Sequence, residues 1–480
     1  MLQVAGTLLT GLQHVASPQP AFQIRALMTS PSTPRTQDPP RRTKLLSVLG
    51  VTFGLAVTIG NTIGAGILRT PGEVAARLPS TGLYIAAWLL GGIYALLGAL
   101  SIAELGAMLP QSGGQYVYAR HTFGRYAGFV VGWNDWISTC GSAAAVAIVV
   151  GEAFVALVPG MTRWTSGIAV IAVMFFTLLI WQGVRTGARV QELTSLLKTL
   201  ALLALVAACF LLGDGESTRE TQAVVTPQGM SLLVAFVVAM QAVIYTYDGW
   251  TGVIYFSEEV RDPGRDIPRA MFGGVALIIA IYLLVNAAYL YVLPVAKMAG
   301  ETMAAAAAAR TIFGPRGDRM VSALLLIVML SAVNALILMS SRVIFAMGRD
   351  GLMTTRVTVV NDGGTPTLAL VLSSAVAGLF IVTGTFSSVV AVLAFFFVLN
   401  YVISFTALFA LRRREPDRPR PYRAWGYPWT TGLALLGSVA FLGAAIVGDP
   451  RNSLYAVGLL VLSYPAYRLL SHSNVAEGQA

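Results

Sequence analysis

Twelve stretches of the chain are dominated by apolar residues, with short polar stretches between them. They cover residues 45–78, 83–109, 123–158, 166–183, 192–213 and 229–260, then 269–293, 319–348, 367–383, 387–411, 426–447 and 452–470. Most approach the ~20 residues that a helix needs to cross a hydrocarbon layer. None shows the ten-residue apolar–polar alternation of a transmembrane barrel strand. Backbone in lipid must satisfy its own hydrogen bonds, so the pattern predicts helices. The expected fold is an all-α membrane protein with twelve transmembrane helices.

Residues 1–40 differ from the rest, being rich in Pro, Ser, Thr and Gln. No basic run precedes the short apolar patch around Leu8, so a cleaved signal peptide fits poorly. Two readings stand: a disordered cytoplasmic tail, or an overcalled start with Met28 as the initiator. Residues 41–470 are expected to form a single transmembrane domain, followed by a short cytoplasmic tail at 471–480.

Composition sharpens this picture. Of 480 residues, 56% are hydrophobic and 11% charged, against about a quarter charged in soluble domains. That excludes a soluble enzyme, a nucleic-acid binder and a disordered scaffold. The net charge is +10, but the bases lie in short runs between apolar blocks, which suits a membrane surface better than nucleic acid. With the amino terminus inside, Lys and Arg favour the inner side by roughly three to one, which predicts that both ends are cytoplasmic. Dense basic loops without a targeting signal fit a bacterial inner membrane. Cys140 and Cys209 each fall inside an apolar block, so no disulfide framework is expected. His14, His121 and His472 are scattered, and no cofactor or metal is expected. Neither HExxH nor GxSxG occurs, which argues against an intramembrane enzyme.

Two segments are poorly made as helices. The first carries Gly60, Gly64 and Gly66 within seven residues, each costing about 1 kcal/mol against alanine in a helix. The sixth reads Tyr245-Thr246-Tyr247-Asp248-Gly249-Trp250, with an acid beside glycine in an apolar stretch. As first and sixth of twelve, they hold matching places in two five-helix halves, the sequence pointer to a transporter site on inverted repeats. Unwinding at residues 64–66 frees N–H groups at a helix start, which attract a carboxylate. The carbonyls that end the preceding half-helix attract an ammonium group. Together they fit a free amino acid. The other reading is that the glycines only allow close helix packing.

At these residues the chain resembles the amino acid–polyamine–organocation superfamily, and within it the L-type amino acid transporter group and its bacterial relatives. The likeness covers about residues 42–468. It rests on Gly64-Ala65-Gly66-Ile67, on Ala103-Glu104-Leu105-Gly106 with Pro110-Gln111-Ser112-Gly113-Gly114, and on Gly187-Ala188-Arg189-Val190-Gln191. Further on come Tyr247-Asp248-Gly249-Trp250, Glu258-Glu259-Val260-Arg261-Asp262-Pro263-Gly264, Ser340-Ser341-Arg342, Gly348-Arg349-Asp350-Gly351 and Arg420-Pro421-Tyr422-Arg423. The resemblance implies a 5+5 inverted repeat with helices one and six interrupted, plus two extra helices, and transport of amino acids by alternating access. It places the substrate carboxylate on Gly64, Ala65, Gly66 and Ile67. It places the amino group on carbonyls near Ile63 and in the turn that holds Tyr245, Tyr247, Asp248 and Gly249. Tyr245 takes the place of an aromatic gate.

This sequence departs from the animal L-type carriers at two of these positions. Tyr245 stands where phenylalanine is usual and Asp248 where glycine is usual, which bears on a preference for large neutral side chains. Animal members also join an ancillary glycoprotein through a cysteine after the third segment. Residues 158–164 hold none, so no disulfide-linked ancillary subunit is expected. The partners expected are a free amino acid, a proton as candidate co-substrate, and membrane lipid, with no nucleic acid; the oligomeric state stays open.

Several ionisable and polar groups inside the bundle have two readings each. An intramembrane charge needs a partner or a task. Lys198 has the family's spacing from Arg189 for a lysine beside the broken first helix, in the place of a sodium ion, where it would serve coupling; otherwise it snorkels to the surface. Asp248 binds substrate or only caps a broken helix. Glu104 and Glu258, with Glu259 and nearby arginines, form an inner gate or are solvated charge. Asp135 and Glu152 have no assignable partner, and a satisfied interhelical pair is the reading preferred for them; Arg69 is a candidate vestibule residue that would favour anions, or has no such role. Asn334 and Asn400 are pocket polars or helix-contact polars. The expected function is a sodium-independent secondary amino acid transporter, exchanger or proton symporter. The alternatives are a sodium-coupled carrier of the same fold and a non-transporting amino acid sensor.

Overall fold

The computed structural model of the chain describes residues 44–78, 80–158, 160–215, 231–383, 386–448 and 450–477. The tail at 1–40 lies outside the described residues. The first apolar segment is two helices, α1 (Val51–Thr62) and α2 (Gly66–Arg77), bent by 46° at the break between them. Next come α3 (Thr81–Met108), a short α4 (Gln115–Phe123), α5 (Arg125–Leu157), α6 (Thr165–Trp181) and α7 (Val184–Leu212). The sixth segment is α8 (Leu232–Tyr247), a turn, and a 3₁₀ stretch Gly252–Phe256. Then follow α9 (Pro263–Val292), α10 (Val295–Met298), α11 (Ala304–Phe313) and α12 (Gly317–Arg349). The chain closes with α13 (Thr367–Thr383), α14 (Phe386–Arg414), α15 (Trp429–Gly448) and α16 (Pro450–Glu477).

Local chemistry sets several of these ends. Ser80 caps α3 by accepting from Leu83 N–H at 3.3 Å, and Ser231 caps α8 by accepting from Val234 N–H at 3.3 Å. Pro263 opens α9, where its missing N–H is no loss. Among the described residues there is no sheet, only two isolated bridges. Among the described residues seven helices are long and apolar enough to cross a membrane, or eight if the bent α1–α2 pair is one span. The apolar helix α13, and the apolar parts of α15 and α16, are shorter.

The outer faces confirm the solvent. Ile171, Met174, Phe175 and Leu178 on α6, and Leu193, Leu196 and Leu200 on α7, are each more than half exposed. A band of this kind would drive aggregation in water and is stable against lipid tails. The protein is a multi-pass membrane protein. Inside, α5 lies along α12, α3 lies along α9, and α1 is enclosed by α7, α9 and α12. The start of the first segment is stitched to the end of the sixth. Leu49 N–H donates to Glu259 O at 2.8 Å, and Arg261 N–H donates to Leu49 O at 2.9 Å.

Some boundaries differ from the sequence expectation. Helix α7 begins at Val184 rather than 192, and α9 at Pro263 rather than 269, because their polar first turns continue the helix beyond the apolar stretch. Helix α16 runs to Glu477, so residues 471–477 continue the last helix. The short helices α4, α10 and α11 carry no apolar span and were not marked by the hydrophobic pattern.

Candidate functional site

Helix α1 ends at Thr62, where Ile63 turns extended (φ −73°, ψ 99°), and α2 begins at Gly66. The break leaves the terminal carbonyls of α1 without helical partners. Three of them are met by side chains. Lys198 on α7, fully buried, donates from Nζ to Gly60 O and to Ile63 O, both at 2.7 Å. Tyr282 on α9 lies 2.9 Å from Thr62 O and 3.1 Å from Thr246 O, so one hydroxyl bridges the ends of both broken segments. Asn61 O meets no donor among the described residues. On the far side of the break, the N–H groups of Gly64, Ala65, Gly66 and Ile67 meet no acceptor among the described residues. They form the positive end of α2.

The second break abuts the first. Helix α8 stops at Tyr247, Asp248 is extended (φ −61°, ψ 153°), and Gly249 takes φ +108°. That conformation suits glycine, and a Cβ there would stand 2.8 Å from Asn61 C. Asn61 Nδ2 donates to Gly249 O at 3.1 Å, and Thr246 Oγ1 donates to Thr70 Oγ1 at 2.8 Å. Tyr401 on α14 donates to the Asp248 carboxylate and stacks on Trp250, ring centres 5.2 Å apart.

Between the breaks lies a cavity of about 620 Å³, within the size range of small-molecule sites. Gly64, Ala65, Gly66, Tyr245, Asp248 and Gly249 line it, so six of the residues expected from sequence come together. Tyr245 is 38% exposed, as suits a movable cover. On α5 the face at Asp135, Ser138, Thr139 and Ser142 forms another wall, and Met329, Ala332, Leu336 and Met339 of α12 a third.

The match with known proteins is decided at the level of the family. A model of the family described as "Amino acid permease" matches residues 44–462. The chain belongs to the amino acid permease family. It is 29% identical over 428 residues to the "Serine/threonine exchanger SteT" of Bacillus subtilis (strain 168), covering 87% of this chain and 95% of that protein. It is 27% identical over 458 residues to the human "b(0,+)-type amino acid transporter 1", covering 92% and 91%. It is 28% identical over 397 residues to the human "Large neutral amino acids transporter small subunit 2", covering 78% and 71%. The permease is therefore an amino acid transporter of the superfamily its motifs resemble, not an enzyme.

Other expected site residues of the permease lie elsewhere. Ile63 and Ile67 bury their side chains completely and offer the site only main chain, and Ile63 O is already held by Lys198. Tyr247 is two residues from Tyr245, so it points to the other side of α8. It packs against Trp88 and Tyr282 and does not line the cavity. Asn334 also faces away: it lies between Ala332 and Leu336 on α12 and donates to Gln191 Oε1 at 2.7 Å. Gly60 is a packing glycine, since a Cβ there would fall 1.9 Å from Gln191 Nε2.

Glu104 is not solvated surface charge. Its buried carboxylate pairs with Arg412 at 2.6 Å and Arg420 at 3.1 Å and accepts from Ala424 N–H at 2.7 Å. It fastens the segment that joins α14 to α15, away from the cavity. Glu258 pairs with Arg349. Beside it, Arg342 and Glu259 form a fully buried pair, with Nε at 2.9 Å and Nη2 at 3.1 Å from the two carboxylate oxygens. Arg69, which lines the cavity, lies 3.8 Å from Glu152. Sequence reasoning missed Tyr282, Tyr401 and Tyr255. Each is a tyrosine among apolar residues, and no spacing marks it as a cross-brace.

Proposed function

We propose that the permease is a sodium-independent secondary amino acid transporter that works by alternating access, as an exchanger or with a proton as co-substrate. The observation that carries this reading is the Lys198 ammonium on the carbonyls of Gly60 and Ile63, beside four N–H groups that meet no acceptor among the described residues. Carbonyls at the end of an unwound half-helix are where a sodium-coupled carrier would coordinate its ion. Here a fixed cation satisfies them. The substrate carboxylate lies on the N–H groups at residues 64–67. The amino group lies toward Asn61 O and the turn at Tyr245, Asp248 and Gly249, with Tyr245 closing over it.

The architecture of this reading is twelve spans. The broken α1–α2 pair, α3, α5, α6 and α7 form one five-span repeat, α8 with its 3₁₀ stretch through α14 the inverted second, and α15 and α16 flank them. Both termini are cytoplasmic and the membrane is a bacterial inner membrane. Exposed Glu73 lines the cavity with Arg69, which supports an opening on the side of α2. The Arg349–Glu258 and Arg342–Glu259 pairs hold the opposite, cytoplasmic end shut. No cysteine stands at residues 158–164, which supports function without a disulfide-linked partner.

Counterflow into proteoliposomes tests the reading. A panel of labelled L-amino acids is offered with sodium, with sodium replaced by choline, and with an imposed pH gradient. At least one amino acid is taken up at the same rate in sodium and in choline. Uptake that collapses in choline establishes sodium coupling instead, and binding without any counterflow establishes a sensor.

A further inference from the structure

The α5 wall of the cavity is made of acceptors whose neighbours' protons are already committed. Asp135 is 4% exposed and lines the cavity. Its Oδ1 accepts from Tyr255 at 2.8 Å, while its Oδ2, fully shielded, meets no hydrogen-bond partner among the described residues. Ser138 and Thr139, one turn on, donate back to Asp135 O at 3.1 and 2.7 Å. Their hydroxyl oxygens therefore face the cavity as acceptors only. The Tyr401 proton is likewise spent on Asp248, the second carboxylate of the same cavity. Among the described residues neither Asp135 nor Asp248 meets a lysine or arginine. Among the described lining residues two unspent buried donors stand against these acceptors, Gln115 Nε2 and the Thr62 hydroxyl.

A buried acceptor without a donor is unfavourable, and a carboxylate more so. A group rich in protons and carrying positive charge relieves it best, and an ammonium offers three donors and a guanidinium five. We propose that Asp135, with the hydroxyl oxygens of Ser138 and Thr139, forms a side-chain subsite for a cationic group, so that the permease takes basic amino acids of the lysine type. This deepens the transporter reading and rests on it. The substrate's α-groups stay at the broken helices while its side chain reaches across the cavity to α5. The volume of about 620 Å³ leaves room for a long side chain.

The test compares L-lysine with L-norleucine, which has the same carbon chain without the terminal ammonium. Equilibrium binding of each, radiolabelled, is measured on the purified full-length chain, with L-leucine alongside. Lysine binds at least roughly tenfold more tightly than norleucine, the scale of one charge-assisted hydrogen bond. In Asp135→Asn that ratio falls toward one, and Asp135→Glu recovers part of it. Norleucine binding as tightly as lysine to the unaltered protein overturns the proposal, even if Asp135→Asn does not fold. So does an Asp135→Asn variant that weakens both ligands equally, because a purely structural role leaves the ratio unmoved. If leucine and norleucine bind and lysine does not, the subsite fails while the transporter reading stands. If no amino acid binds or exchanges, both fail.

Discussion

Replacing Gly66 by leucine lowers amino acid uptake by about a hundredfold or more, because it removes the carboxylate's seat. Two charge-assisted hydrogen bonds at about 1.5–3 kcal/mol each account for that loss at roughly 1.4 kcal/mol per factor of ten. A Cβ at Gly66 would already lie 2.9 Å from Thr246 Cγ2 and 3.0 Å from its Oγ1. The larger side chain must therefore push α2 away from α8 or turn into the cavity, and either displaces the N–H groups. Gly64 gives the contrast. A Cβ there meets only Met329 Cε and Thr62 O, both at 3.9 Å. Gly64→Ala thus fits without strain, and any loss of uptake it causes reports occupied cavity space. Uptake of labelled amino acid into proteoliposomes, with the elution profile as a folding check, reads both variants. Wild-type uptake by Gly66→Leu would contradict the placement of the carboxylate.

Lys198→Met lowers uptake by a comparable factor and destabilises the protein. Its ammonium is the donor for Gly60 O and Ile63 O in a fully buried position. Two carbonyls left without donors cost about 1–3 kcal/mol each, or roughly 2–6 kcal/mol together. Burial also disposes of the snorkelling alternative, since the amine ends on α1 and not at a surface. Lys198→Arg keeps the charge but presents a planar fork in place of a compact ammonium, and is expected to restore stability more than uptake. Thermal unfolding and initial uptake rates measured together separate the two effects. An unchanged uptake rate in Lys198→Met would remove the lysine from the transport cycle.

The two breaks were legible because glycine and an acid inside apolar stretches conflict with local helix propensity. A conflict of that kind marks a place where function overrides folding preference. The place of Lys198 beside the broken helix was expected only through the family resemblance, whose lysine has the same spacing from Arg189. The faces were not. Helix α12 is apolar nearly all round, so periodicity could not tell that Met329, Ala332 and Leu336 face the cavity while Asn334 turns to Gln191. Tyr245 and Tyr247 share one motif, yet a separation of two residues sends them to opposite sides of α8. Glu104 finds its partners 308 and more residues away, at Arg412, Arg420 and Ala424. No local pattern encodes such a distance. Asp135 was expected to be a satisfied interhelical pair, and only the fold shows that Tyr255 takes one of its oxygens while the other meets no partner among the described residues.

The central claim is that main-chain groups at the two breaks hold both charges of a free amino acid. Competition by derivatives that lack one charge tests it most directly. L-Leucine, L-serine and L-lysine are each compared, as inhibitors of counterflow, with their own methyl ester and their own Nα-acetyl form. The account predicts that every amino acid that competes loses its effect by about a hundredfold in both derivatives, on the scale of losing one or two charge-assisted hydrogen bonds. An ester or an acetylated form that competes as well as its parent would contradict it.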